Sequence, residues 1–186
     1  MKESFQEKKL LFLIRTKKDA EAFALLYDNY VESLYRFIFF KLSDKDAAQD
    51  VTSDVFLQMW QYLTTSDRTV SSFRGLLYQT ARNKIIDVYR ARAKVQTVHL
   101  EDVQELPDET QSSEIRVSLD QDIQQLFALT KRLKQDYQEV ILFRYVEDLS
   151  IKEIADIMDK RPTAVRVMLH RATTRLRALV DDNTSL

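Results

Sequence analysis

Residues 149–176 hold the pattern that most constrains this chain. Ser150 and Glu153 form a Ser-x-x-Glu capping box, in which hydroxyl and carboxylate each take one free amide at a helix start. The apolar-periodic run Ile151–Met158 follows and predicts a short helix. Asp159, Lys160 and Arg161 predict a tight turn. Pro162 suits the first position of a second helix, where its φ is already helical and its missing N–H costs nothing. That second helix carries Arg166, His170, Arg171, Arg175 and Arg177, with no acidic residue from Lys160 to Val180. A short helix, a tight turn and a basic helix make a helix-turn-helix, which lays its second helix in the DNA major groove.

Within that second helix, Val165, Leu169, Ala172 and Leu176 recur every three or four residues and predict the core face. Thr163, Arg166, Val167, His170 and Arg171 fall on an adjoining face. Arginine pairs bidentately with guanine O6 and N7, and valine meets a thymine methyl. Lys160, Arg161, Arg175 and Arg177 suit phosphates, which set register and affinity. A basic helix packed on a protein partner is the plain alternative. The capping box, the turn length and Pro162 agree with one another and favour DNA.

The 186-residue chain as a whole reads as helical: it has one Gly, two Pro and 45% apolar residues. With no cysteine, disulfides, thiolate zinc sites and cysteine nucleophiles are excluded. No apolar run approaches a membrane span, and the charged N-terminus has no signal-peptide layout. The expectation is a cytoplasmic protein with no direct membrane insertion. Neither His99 nor His170 has a carboxylate at ligand spacing, and no phosphate loop or nucleophile motif occurs. No enzyme activity, metal or cofactor is therefore expected.

Net charge is −1, yet the charge is segregated. Residues 74–94 are basic but for Asp87, residues 101–122 are acidic but for Arg116, and the tail is basic again. The predicted architecture is all-α: two helical domains joined by a flexible acidic linker, the C-terminal one with the helix-turn-helix. The boundaries are an N-terminal segment over 1–18, a first domain over 19–94, a linker over 95–117 and a second domain over 118–182. In the first domain, Ser43–Asp46 reads as a helix end followed by a new start, and 64–72 as a polar loop. Leu77, Ala81, Ile85 and Val88 mark the buried side of a long helix from Phe73.

Two constellations there have ordinary explanations. Tyr78, Asn83, Lys84, Tyr89 and Arg90 mix aromatic, amide and cationic groups on one helix. That mixture suits a separated strand, because aromatics stack on bases while cations follow the backbone. By composition alone it is better read as an amphipathic helix with a basic outer face. Asp50, Asp54 and Gln58 form a polar stripe, and Trp60 is the chain's one tryptophan. Alone, the stripe reads as a solvated face and Trp60 as core.

Taken together, the motifs resemble those of the extracytoplasmic-function sigma factors of bacterial RNA polymerase. Residues 19–23 with Leu26, Tyr27 and Tyr30 are similar to the opening of sigma domain two. Ala48–Val51 and Asp54–Trp60 resemble the helix that grips the polymerase clamp. Phe73–Tyr78, Ala81–Asn83, Asp87 and Tyr89–Arg90 resemble the promoter-melting segment. Tyr137–Ile141, Arg144–Tyr145, Glu153–Ala155 and Ala164–Ala172 resemble domain four.

The resemblance implies a sigma factor that binds core polymerase at clamp and flap, binds promoter DNA, and is often held by an anti-sigma factor. It turns Asp50, Asp54, Gln58 and Trp60 into polymerase-contact candidates. Tyr78, Asn83, Lys84 and Arg90 become minus-ten candidates, with the 65–72 loop forming part of a pocket for a flipped base. Arg161, Thr163, Arg166, Val167, His170, Arg171 and Arg175 become minus-thirty-five candidates. Relatives often carry Gly at positions 159 and 163, Ser at 161 and Pro at 134, where this chain has Asp, Thr, Arg and Lys. A stand-alone helix-turn-helix regulator is the alternative; it would dimerise and bind duplex DNA tightly without polymerase.

Overall fold

The computed structural model describes residues 2–66, 70, 72–98 and 121–184, and among these there is no strand. The chain divides into two compact units, one within residues 1–111 and one within 112–186. The acid-rich part of the expected linker, and residues 67–69 and 71 of the polar loop, lie outside the described residues.

The first unit contains α1 (Lys2–Lys17), α2 (Ala20–Leu42), α3 (Lys45–Thr65) and α4 (Phe73–Val98). Its corners are set by capping chemistry. Asp19 accepts the Ala22 amide at 3.0 Å and starts α2. Ser43 ends α2 in the left-handed region at φ 54°, and Asp44 at once caps α3 by accepting the Ala47 amide. The Ser43–Asp46 reading of the sequence is thus realised as a two-residue corner. Arg92 of α4 braces it, with a guanidinium nitrogen 2.6 Å from Asp44 Oδ2.

Apolar faces of all four helices converge. Ile14, Leu26, Leu34, Ile38, Val55, Met59, Phe73, Leu77 and Ile85 are buried. Each such side chain contributes on the order of 1.5–3 kcal/mol of transfer free energy. Leu77, Ala81 and Ile85 lie on the buried side of α4 as their spacing predicts, whereas Val88 is half-buried. The N-terminal segment expected over 1–18 belongs to this core: α1 packs on α2 and α3 and buries Leu10, Leu11 and Ile14. The unbroken apolar run Leu10–Ile14 in a helix otherwise mostly charged has no clear helical periodicity by which to place it.

The second unit contains α5 (Gln121–Lys131), α6 (Gln135–Ile141), a π-helical turn (Leu142–Val146), α7 (Ile151–Met158) and α8 (Pro162–Thr184). The π turn is closed by the Glu147 amide donating to the Leu142 carbonyl at 2.9 Å. Arg144 donates to the Leu149 carbonyl at 2.9 Å and holds the chain entering α7. The wider turn leaves Tyr145 exposed while Phe143 is fully buried. Both halves of the capping box form: Ser150 Oγ accepts the Glu153 amide, and the Glu153 carboxylate accepts the Ser150 amide at 2.9 Å. Asp159 closes α7 at φ 52°, the conformation that glycine adopts without strain. This explains why glycine at 159 suits the fold.

Candidate nucleic-acid interface

In the second unit α8 divides by face. Val165 and Ala172 are fully buried and Leu179 nearly so, while Leu169 and Leu176 are half-buried. At 3.6 residues per turn, Arg166, Val167, His170 and Arg171 lie opposite Val165 and Ala172. All four are exposed, as are Arg161, Thr163 and Arg175. Val167 is 50% exposed, an apolar side chain among cations with no core to fill. From Thr163 to Arg171 the helix rises about 12 Å, matching the major-groove width of about 12 Å. The structure therefore leaves Thr163, Arg166, Val167, His170 and Arg171 exposed on the side of α8 away from its core, with Arg175 exposed on the flank.

The sequence reading missed the wall beside that face. A groove of ≈ 630 Å³ runs between α8 and the start of α6, bordered by Arg132, Lys134, Tyr137, His170, Arg171 and Arg175. Lys134 sits at the N-cap of α6 with φ −61°, which explains why proline is also suited there. Its side chain makes no cap bond. Lys160 of the turn lies 3.5 Å from Asp136 and ties the helix-turn-helix to α6. A cation pair at 132 and 134, just ahead of the Tyr137 motif, is the signal that would have found this wall.

In the first unit Asp50, Asp54 and Gln58 lie exposed along α3 as one stripe. Trp60 does not share it. Two residues beyond Gln58 is more than half a turn, and the indole sits edge-on to Phe23 of α2 with ring centroids 5.2 Å apart. Phe23 also meets Phe56, which Tyr27 faces at 4.6 Å. Trp60 is therefore a half-buried member of an aromatic cluster behind the stripe.

The α4 constellation also separates. Tyr78 has no exposed surface and packs edge-on to Phe37 at 5.4 Å, so it is core and offers no stacking platform. It lies one residue from Leu77, and the α4 core face is broad enough to take both. Tyr89 gives its hydroxyl to the Lys41 carbonyl at 2.6 Å. Asn83 and Arg90 are exposed, Arg90 beside Asp87 at 3.4 Å. Lys84 is partly exposed and pairs with Asp54 of α3 at 2.9 Å. What α4 presents is thus chiefly amide and cation, with Tyr89 half-buried and tied through its hydroxyl. Among the described residues no group of His, Asp or Glu is placed to hold a metal ion, and no helix is long and apolar enough to cross a membrane.

Comparison with known proteins matches residues 26–95 to Sigma-70 region 2 and residues 123–176 to Sigma-70, region 4. The ECF RNA polymerase sigma factor BldN of Streptomyces coelicolor is 30% identical over 168 residues, covering 89% of this chain. This chain spans 62% of the length of BldN. The ECF RNA polymerase sigma factor SigX of Bacillus subtilis is 28% identical over 168 residues, covering 84% of this chain and 82% of SigX. The fold is shared with CnrH, solved in complex with the cytosolic domain of CnrY (TM-score 0.68, 21% identity, 95% of this chain and 98% of that one). It is shared equally with the sigma factor RpoE of Bartonella quintana, solved with the anti-sigma factor NepR (TM-score 0.68, 21% identity, 86% of this chain and 96% of that one). With regions 2 and 4 in order along it, the chain belongs to the extracytoplasmic-function sigma factors of RNA polymerase.

Proposed function

We propose that this protein is an alternative sigma factor that binds core RNA polymerase and directs promoter-specific transcription initiation. The observation that carries the reading is the exposed basic face of α8, borne by a region 4 that follows a region 2 on a separate compact unit. The work is binding and strand capture, with no bond made or broken. The first unit docks on polymerase through the Asp50, Asp54 and Gln58 stripe, with Trp60 supporting it from behind. Asn83, Lys84 and Arg90 of α4 follow the separated minus-ten strand. Unstacking one base costs only a few kcal/mol, which contacts to the extruded base offset.

The second unit anchors the minus-thirty-five duplex. Arg166, Val167, His170 and Arg171 face bases, while Arg161, Thr163 and Arg175 set register on the backbone. Two modules on one chain raise each other's effective concentration, so neither needs high affinity alone. The domain limits proposed from sequence, 19–94 and 118–182, extend at the N-terminus to take in α1. An anti-sigma partner is part of this reading, in keeping with the complex of RpoE with the anti-sigma factor NepR.

Run-off transcription with core polymerase and genomic template from the source bacterium tests it. Discrete transcripts dependent on this protein are expected. Tight duplex binding by the protein alone, with no polymerase binding, would replace this reading by the stand-alone regulator.

A further inference from the structure

We propose that Glu7, in α1, is a positioning residue for capture of the minus-ten strand, because its one carboxylate clamps the start of α4. This rests on the reading of α4 given above. Glu7 Oε1 accepts the Phe73 amide at 3.3 Å, and Oε2 accepts the Tyr30 hydroxyl at 2.7 Å. One side chain thus joins α1, α2 and the first residue of α4, across 66 positions of sequence.

The surroundings make the clamp specific. A helix leaves its first amides without intrahelical partners, and their positive end favours a carboxylate. Ser72 takes the Gly75 amide at 3.0 Å, and Glu7 takes that of Phe73. The Phe73 ring is fully buried and lies 5.5 Å from the Tyr30 ring, so the clamped amide is fixed to the core on its other side. Gly75, the chain's one glycine, lies directly beneath the Ser72 cap: a Cβ there would sit 3.3 Å from Ser72 Oγ. Phe73 is also where the chain returns from the 66–72 loop. Displacing it moves the helix that carries Asn83, Lys84 and Arg90. None of this packing requires a charge at position 7, so the carboxylate's contribution is where α4 begins.

The test uses holoenzyme reconstituted from the full chain and core polymerase. The template is a forked promoter fragment, with the captured minus-ten base either present or abasic. Core affinity and strand affinity are measured for wild type, Glu7→Ala, Glu7→Gln and Tyr30→Phe, at a temperature where all are folded. Glu7→Ala is expected to weaken strand binding about tenfold, the scale of one charge-assisted hydrogen bond. Core affinity should hold within about twofold, and the defect should be smaller on the abasic template, where only the cations' backbone contacts remain to be lost. Glu7→Gln, whose amide can accept from Phe73 and donate to Tyr30, should restore most binding. Tyr30→Phe, which keeps the ring, should fall between and serves if Glu7→Ala does not fold. A wild type that prefers the base, with every variant sharing that preference, overturns the proposal alone. Equal loss of core and strand binding, whatever the base, reduces Glu7 to a structural role and also overturns it. A wild type indifferent to the base removes the strand-capture reading and this proposal with it.

Discussion

Lys84 Nζ and Asp54 Oδ2 lie 2.9 Å apart, so one ion pair joins the stripe assigned to polymerase with the helix assigned to DNA. Their side chains are 34% and 60% exposed, so the pair itself adds little stability. Its consequence is chemical: whichever residue is recruited by a partner releases the other.

Charge reversal at Asp50 and Asp54 should therefore abolish core binding and leave the unit of α5–α8 folded. Asp54→Asn alone should change stability by less than about 1 kcal/mol, as exposed pairs do. Polymerase pull-down and thermal melting check the two halves. Normal polymerase affinity in the double reversal would remove the stripe from the interface.

Tyr78→Ala should destabilise the first unit by about 3–5 kcal/mol, the range for deleting a buried aromatic ring. Tyr78→Phe should keep strand binding within about twofold, since the ring is core and not a platform. Denaturant melts with strand-binding assays separate these effects. Lost strand binding in a fully stable Tyr78→Phe would mean that the hydroxyl reaches the nucleic acid.

Arg171→Ala should weaken binding to the cognate minus-thirty-five duplex by about 1–3 kcal/mol and relax the preference at one base pair. Competition among duplexes changed at single positions reads this out. A uniform loss on every sequence would reassign Arg171 to the backbone.

Position 159 tests the corner of the helix-turn-helix. At φ 52°, Asp159→Gly should be neutral or stabilising, whereas Asp159→Val should cost about 1–2 kcal/mol. Ser150→Ala, which removes one half of the capping box, should cost about 1 kcal/mol. Thermal unfolding of the full chain distinguishes the three, and tolerance of valine would contradict the left-handed corner.

The elements most legible in the sequence were those defined by local chemistry. Ser150 with Glu153, Ser43 with Asp44, and Pro162 announce helix ends through side-chain or ring geometry, and each appears at its expected place. The basic face of α8 was legible because its core partners, Val165 and Ala172, keep strict helical spacing. Tyr78 was not, because an amphipathic aromatic serves equally as core or as contact and only its neighbour Phe37 decides; Trp60 read as core from the residues alone and as a contact only through the resemblance, and its ring packs on Phe23. The place of α1 was hidden for a related reason. Its ties to Tyr30 and Phe73 are tertiary, and no local pattern encodes them.

The inclusion of α1 in the first unit has a consequence for the order of synthesis. Every helix of that unit is drawn from residues up to Val98. Helical units with such local connections fold in milliseconds or less. Translation of the chain that follows takes roughly 4–18 s at about 5–20 residues per second. On the function proposed above, a nascent chain therefore carries a finished polymerase-docking unit seconds before its duplex anchor exists, and ribosomes stalled past that unit should already retain core polymerase.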